Sequence, residues 1–430
     1  MASSRRLLAS GLLAALLAAP LAVLLAGAVP PAAAQAPAPP PAESPATSSS
    51  SGAAEIRIGL IHRPPDAPSS YDAQAAPEDE GVAGARMAVR DNNASGRFLK
   101  LHYALEEVAL ANPSPGEPPP QDPVAAARGL ADKGVRFIVL ALPAPEVLAV
   151  ADALKGSGVT LFNAAAPDDR LRAADCRANV FHVAPSRAMQ TDALAQFLAF
   201  MRWRKLFLIV GPQENDRLWA EALRRSAKKF GLQIGAEKPW TFGPLARARG
   251  DTPTRAEALV FTRGLDYDIA VVADEAGDFG DYVPYHTADP RPVAGTQALF
   301  PTTWHPTLEV WGAAQAQNRF RRLAGRLMRP LDYQVWTAFR AVGEAAMQKR
   351  TADPAALAAQ IVDPGFTLPA YKGVSLTFRS WDHQLRQPIL LVQPSALVAV
   401  APEQGYLHQR TPLDTLGYDQ PESQCKLPKS

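Results

Sequence analysis

From Glu55 onward the chain alternates short, unbroken apolar runs with longer segments that are apolar on one side only. A strand with one wet face alternates apolar and polar residues, whereas a strand covered on both faces reads as a continuous apolar run. Residues 56–61 (IRIGLI), 137–140 (FIVL) and 159–162 (VTLF) are runs of the second kind, and 98–108 reads as a further strand. Between them, 78–92, 124–132 and 146–154 carry apolar residues at helical spacing, and the first of these opens on acids that suit a helix dipole. This β-α-β-α order predicts a parallel sheet with helices on both faces. A second series follows. Ser186 caps a helix to about Met201, 206–210 (LFLIV) is a strand, 215–230 a helix and 232–240 extended. A helix from Thr252 or Thr254 ends near Arg263, 269–272 (IAVV) is a strand, and 298–300 is another. Long helices are predicted at 306–327 and 332–347, a shorter one after Pro354, and strands at 371–379 and 389–393.

Roughly 375 residues follow the start of folded structure, more than one hydrophobic core usually serves. The fold class is therefore α/β with two lobes, each a mostly parallel sheet flanked by helices. Lobe one is placed at 55–185 with a return segment at 328–400, lobe two at 186–327, and a tail without periodicity at 401–430. Flexible crossings are expected near 183–186, 299–303 and 329–332.

The first 34 residues read as an export signal: Arg5 and Arg6, an apolar stretch over 7–28, then Ala32 and Ala34 at the −3 and −1 positions before Gln35. An anchor that is never removed is the alternative, disfavoured by Pro20, Pro30 and Pro31. No Cys follows the apolar stretch, which speaks against a lipid anchor. Residues 35–54 are Pro, Ala and Ser with little to bury, a disordered linker. These features place the mature chain in the periplasm. The net charge is +2, and loss of Arg5 and Arg6 brings it near zero, so no nucleic-acid partner is expected. The two cysteines, Cys176 and Cys425, read as a disulfide in an exported protein, with two free thiols as the alternative.

Three segments carry a family resemblance. Residues 331–346 (LDYQVWTAFRAVGEAA), 371–393 (YKGVSLTF…DHQLRQPILLVQ) and 80–96 (EGVAGARMAVRDNNASG) are similar to the returning helix, terminal hairpin and first helix of type I periplasmic binding proteins, the branched-chain-amino-acid-binding class. Two further segments, 271–305 (VVADEAGDFGDYVPYHTADPRPVAGTQALFPTTWH) and 407–425 (LHQRTPLDTLGYDQPESQC), resemble the branch that accompanies PQQ-dependent alcohol dehydrogenase systems. The resemblance implies a monomeric, two-lobed receptor that closes on a small molecule, serves an inner-membrane ABC permease, uses no cofactor and catalyses nothing.

Ligands of open α/β sheets sit beyond the carboxyl ends of the strands. That rule selects His62, Asp66 and Tyr71 after the first strand, Leu142 and Ala144 after FIVL, and Asn163 and Ala165 after VTLF. In the second lobe it selects Asn215 and Trp219 after LFLIV, Asp274, Glu275 and Phe279 after IAVV, and Trp304 and His305 after the second crossing. Each has a structural alternative: a loop cap for His62, core packing for Trp219, a helix cap for Asp274 and Glu275, hinge packing for Trp304. The loops LALPAPEV and FNAAAPDD lack the hydroxyls with which amino-acid binders of this class hold a carboxylate, so a less ionic, aromatic or alcohol-derived ligand is expected.

Catalysis has no motif here: there is no GxSxG, HExxH, GxxxxGK[ST] or GxGxxG, and the seven histidines are scattered. Asp66, Asp72, Asp274, Glu275, Asp278 and Asp281 leave a calcium or lanthanide carrier as the alternative, and a ligand-sensing partner without transport is a second.

Overall fold

The computed structural model describes residues 53–65, 76–112, 120–242 and 253–427. The signal segment, most of the linker, Asp66, Tyr71 and Asp72 lie outside the described residues. The elements run β1 (Ala54–His62), α1 (Val82–Gly96), β2 (Leu101–Ala109), α2 (Pro123–Asp132), β3 (Phe137–Ala141), α3 (Ala144–Ala153), β4 (Thr160–Asn163) and β5 (Val180–His182). They continue α4 (Arg187–Phe200), β6 (Lys205–Val210), α5 (Glu214–Lys229), β7 (Gln233–Pro239), α6 (Pro253–Thr262), β8 (Ile269–Ala273), β9 (Val293–Gly295) and β10 (Phe300–Thr302). The last third holds α7 (Ala313–Ala324), α8 (Pro330–Lys349), α9 (Pro354–Val362), β11 (Leu368–Pro369), β12 (Ser375–Phe378), β13 (Leu385–Arg386), β14 (Ile389–Gln393) and β15 (Ala396–Ala401).

The two apolar series form two sheets, ordered β2-β1-β3-β4-β5 and β7-β6-β8-β9, and every strand pair in them is parallel. Strand pleating sends alternate residues to opposite faces, so each run feeds two cores. On β3, Phe137 and Val139 join the core that α1 and α8 cover, while Ile138 and Leu140 join the one under α2 and α3. On β6, Leu206 and Leu208 pack with α4 and α5, and Phe207 and Ile209 with Trp240 and Tyr267 on the other side. Burying each such side chain contributes about 1.5–3 kcal/mol.

A third sheet, β10-β14-β15, is antiparallel and joins the two halves. On β14, Leu390 and Val392 belong to the first sheet's core, while Ile389 and Leu391 belong to the second's. One strand thus serves as a wall for both.

Three expectations change. The first helix starts at Val82, after Gly81 in a left-handed conformation (φ 84°), so Asp79 and Glu80 precede it and pair with Arg326 and Arg329 instead. The helix predicted from residue 306 begins at Ala313, because Trp311 and Gly312 both have positive φ (55° and 82°). That segment, expected in the second lobe, instead packs Trp304, Leu308, Ala313, Ala316 and Phe320 in the core of α1 and α8. Residues 329–332, expected as a crossing, are the capped start of α8: Asp332 accepts the Arg329 and Gly81 backbone N–H groups, and a Cβ on Gly84 would meet the Asp332 carbonyl oxygen at 2.0 Å.

The residues after β15 form an ordered strap. Asp414 accepts from Arg379 Nε at 2.9 Å and Arg386 Nε at 2.8 Å. Leu416 enters the second sheet's core, and the Gly417 N–H donates to the fully buried Asp192 at 2.8 Å. Lys229 Nζ donates to the Thr415 and Gly417 carbonyls. The strap ends in a disulfide between Cys425 and Cys176, which lies just before β5.

Candidate functional site

Both sheets end their central strands in loops that their own polar side chains shape. Asn163, at the end of β4, accepts from the Ala165 and Ala166 backbone N–H groups and donates to the Ala166 carbonyl. This turn carries Asp168 and Asp169. Asp169 accepts the Ala188 N–H at 3.0 Å and Ser186 Oγ the Met189 N–H at 3.2 Å, so the two side chains cap α4. In the second sheet, Asp216 caps α5 through the Gln213 N–H and holds the Glu275 N–H at 2.7 Å. Gly211 is required there, since a Cβ would stand 2.2 Å from the Asp216 carboxylate. Asp274 accepts three backbone N–H groups, from Asp278, Phe279 and Gly280, at 2.7–3.0 Å. Gly295, at φ 129°, lets the β9 loop lie on Val272, where a Cβ would meet the carbonyl oxygen at 2.0 Å.

Beside the loops of the second sheet lies a cavity of about 220 Å3. Trp219, Asp274 and Glu275 line it with Thr296 and Gln297 at the carboxyl ends of the second sheet. Gln190 of α4 and Phe300 and Pro301 of β10 complete the wall. Trp219 is 1% exposed, and its indole N–H donates to no group among the described residues. The Gln190 amide is likewise without a partner among them.

Arg187, in the first turn of α4, joins the exit loops of the two sheets. Its Nε lies 3.0 and 3.1 Å from the two Glu275 carboxylate oxygens, its Nη2 2.6 Å from one of them, and its Nη1 3.3 Å from Asp168. Burial works against the cation, but Glu275 and Asp168 outweigh it and raise its pKa. Burial raises the Glu275 carboxyl above its ordinary range, and Arg187 offsets only part of that rise. Burial also raises Asp216. Arg187→Lys keeps the charge and loses the planar fork. It should lower the unfolding free energy by about 1.5 kcal/mol and enlarge the radius of gyration of ligand-free protein in X-ray scattering.

Residues 57–245 match the family model described as periplasmic binding protein. The chain has the type I periplasmic binding protein fold. Superposition on solved structures carries that fold across almost the whole described chain. A branched-chain amino acid ABC transporter periplasmic ligand-binding protein from Burkholderia xenovorans LB400 aligns with TM-score 0.66 at 15% identity, covering 86% of this chain and 99% of that one. A Streptococcus pneumoniae branched-chain amino acid transporter substrate-binding protein, solved with isoleucine, aligns at 0.58 and 17%, covering 81% and 99%. A solute-binding protein from R. palustris, solved with benzoate, aligns at 0.60 and 14%, covering 87% and 100%. No curated relative matches the chain. The family and these neighbours are binding proteins, not enzymes.

Of the residues selected from strand ends, this fold brings Trp219, Asp274 and Glu275 together at the cavity. The others among the described residues sit elsewhere. His62 is buried and its Nε2 lies 3.3 Å from Glu107, while Asn163 is a buried loop former beside half-buried Ala165. Leu142 and Ala144 belong to the core under α3, and Phe279 stacks on Trp240 with ring centroids 4.5 Å apart. Trp304 donates its indole N–H to Gln317 and stacks on Tyr333. Asn215 is exposed on α5. His305, its pKa lowered by burial, bonds Thr307. Counting strand ends selected side chains without regard to which face of the loop they occupy. It missed Arg187 and Gln190, whose only signal was their place directly after the Ser186 cap. It missed Thr296 and Gln297 because the three-residue β9 has no readable period. Among the described residues no group of three or more His, Cys, Asp or Glu could hold a metal ion.

Proposed function

We propose that this chain is the exported solute-binding component of an ABC-type import system, closing on a small organic molecule at the Trp219–Asp274–Glu275 cavity and delivering it to an inner-membrane permease. The observation that carries this reading is the Arg187 bridge: a buried cation that contacts the exit loop of each sheet beside a cavity at the carboxyl ends of the second. Phe300 and Pro301 of its wall lie on β10, which pairs with β14 in the sheet that joins the halves, so a guest seated there biases the closed form by its differential affinity. The resemblance of 271–305 and 407–425 to the branch tied to PQQ-dependent alcohol oxidation supports a role beside that chemistry. Benzoate in the R. palustris neighbour supports an aromatic guest.

A thermal-shift screen of the purified chain tests the reading, with alcohols, aldehydes, aromatic acids, amino acids, PQQ, calcium and a lanthanide as candidates. A ligand at 100 times its Kd adds about 2.7 kcal/mol, and scattering should show compaction with the same compound. Stabilisation by metal ions alone would favour the carrier instead, and silence from every organic solute would discard the proposal.

A further inference from the structure

The carboxylates around the cavity already hold hydrogen-bond donors, and this decides what a guest can be. Asp274 is fully buried and accepts three backbone N–H groups. Glu275 is held by the Arg187 fork, and Arg187 in turn reaches Asp168. A carboxylate guest would add a negative charge beside Asp274 and Glu275, with Asp216 behind them and Arg187 already committed to Glu275 and Asp168. An ammonium guest would meet that cation and find carboxylate oxygens already bonded. What remains is the indole N–H of Trp219, a residue 1% exposed, and the Gln190 amide, neither with a partner among the described residues. The indole, Phe300 and Pro301 supply apolar surface beside them. Gln297 is not available, because its amide donates to the Asp274 carbonyl at 2.7 Å.

Resting on the solute-binding reading, we propose that the guest is an uncharged, compact, oxygen-bearing molecule, an alcohol or carbonyl compound with an apolar body. Its oxygen accepts from Trp219 Nε1 and the Gln190 amide. Trp219 and Gln190 therefore set specificity, and the buried Trp219 donor, left unpaired, discriminates strongly against guests without an acceptor.

One ring in four states tests this: calorimetric titration with benzyl alcohol, benzaldehyde, benzoate and benzylamine, using the native chain, Trp219→Phe and Gln190→Leu. The two neutral compounds should bind, and the two ions should bind at least about tenfold more weakly. Each substitution should weaken the neutral pair by about tenfold, the worth of one hydrogen bond. Gln190 is half-buried, so its variant keeps the test valid if Trp219→Phe fails to fold. Benzoate or benzylamine binding as tightly as the alcohol would overturn the proposal, as would unchanged affinity in the variants. Amino acids that bind and compact the chain while the neutral pair stays silent would overturn the ligand class and leave the solute-binding reading standing. Silence across the wider solute screen would overturn both.

Discussion

Replacing Asp192 by alanine should lower the unfolding free energy by about 3–5 kcal/mol, the usual loss when one partner of a buried ion pair is removed. Asp192 is fully buried on α4. One carboxylate oxygen accepts from Ser226 Oγ at 2.5 Å and Arg225 Nη1 at 3.0 Å, the other from Lys229 Nζ and the Gly417 N–H, both at 2.8 Å. Alanine would leave two cations of α5 facing each other without their acid and release the strap at Gly417. The Arg225 guanidinium, 4.1 Å from the centroid of Tyr418, would lose its alignment on that ring as well. Urea denaturation with the disulfide intact measures the loss, and proteolysis of the strap reports its release. Asp192→Asn keeps the shape and removes the charge, so it should fall between. A loss under about 1 kcal/mol for alanine would mean that the disulfide and Asp414 hold the strap by themselves.

The second large effect is a loss of stability in acid through His383. It stacks on Phe181 with centroids 4.4 Å apart, and its Nδ1 lies 3.3 Å from the Val180 carbonyl. Burial lowers its pKa to about 4. The neighbouring His182 is lowered well below the ordinary value, by burial first and then by Arg172 and His383. Unfolded histidine takes its proton near pH 6.5, so between that value and about pH 4 the unfolded chain binds more protons than the folded one. Stability then falls as pH falls. From pH 7 to 4 His383 should remove on the order of 3 kcal/mol. Asp169 and Asp382 have pKa values raised by burial and work in the opposite sense. The test is therefore the difference between the native chain and His383→Asn, where the carboxyl contributions cancel. Asn suits the left-handed backbone at this position (φ 53°) and does not titrate. The gap between the two should shift by about that amount over this range, and a constant gap would rule the mechanism out.

The two predictions concern residues that no periodicity singled out. Asp192 lies inside an apolar helix, and a reader of QTDALAQFL has no reason to pair it with Gly417, 225 residues later. His383 lies in a polar turn, and its burial comes from the bridge that sets Gln384 beside His182 at the edge of the first sheet. The cavity shows the same division. Strand ends located Trp219, Asp274 and Glu275, since an unbroken apolar run announces where a buried strand stops. Phe279 and Trp304 satisfied the same rule and turned inward, because aromatic partners waited at Trp240 and Tyr333.

By itself the sequence determined the two parallel sheets and the helices that cover them, because continuous apolar runs survive only where both faces are dry. It also determined the cap at Ser186 and the order in which chain segments return. Only the tertiary structure decided that residues 304–328 pack with the first sheet, that 402–425 form a strap, and that Arg187 stands between Asp168 and Glu275. The reason is physical: local patterning reports what a segment must bury, whereas a polar side chain's partner is set by whichever distant group folding brings within hydrogen-bond reach.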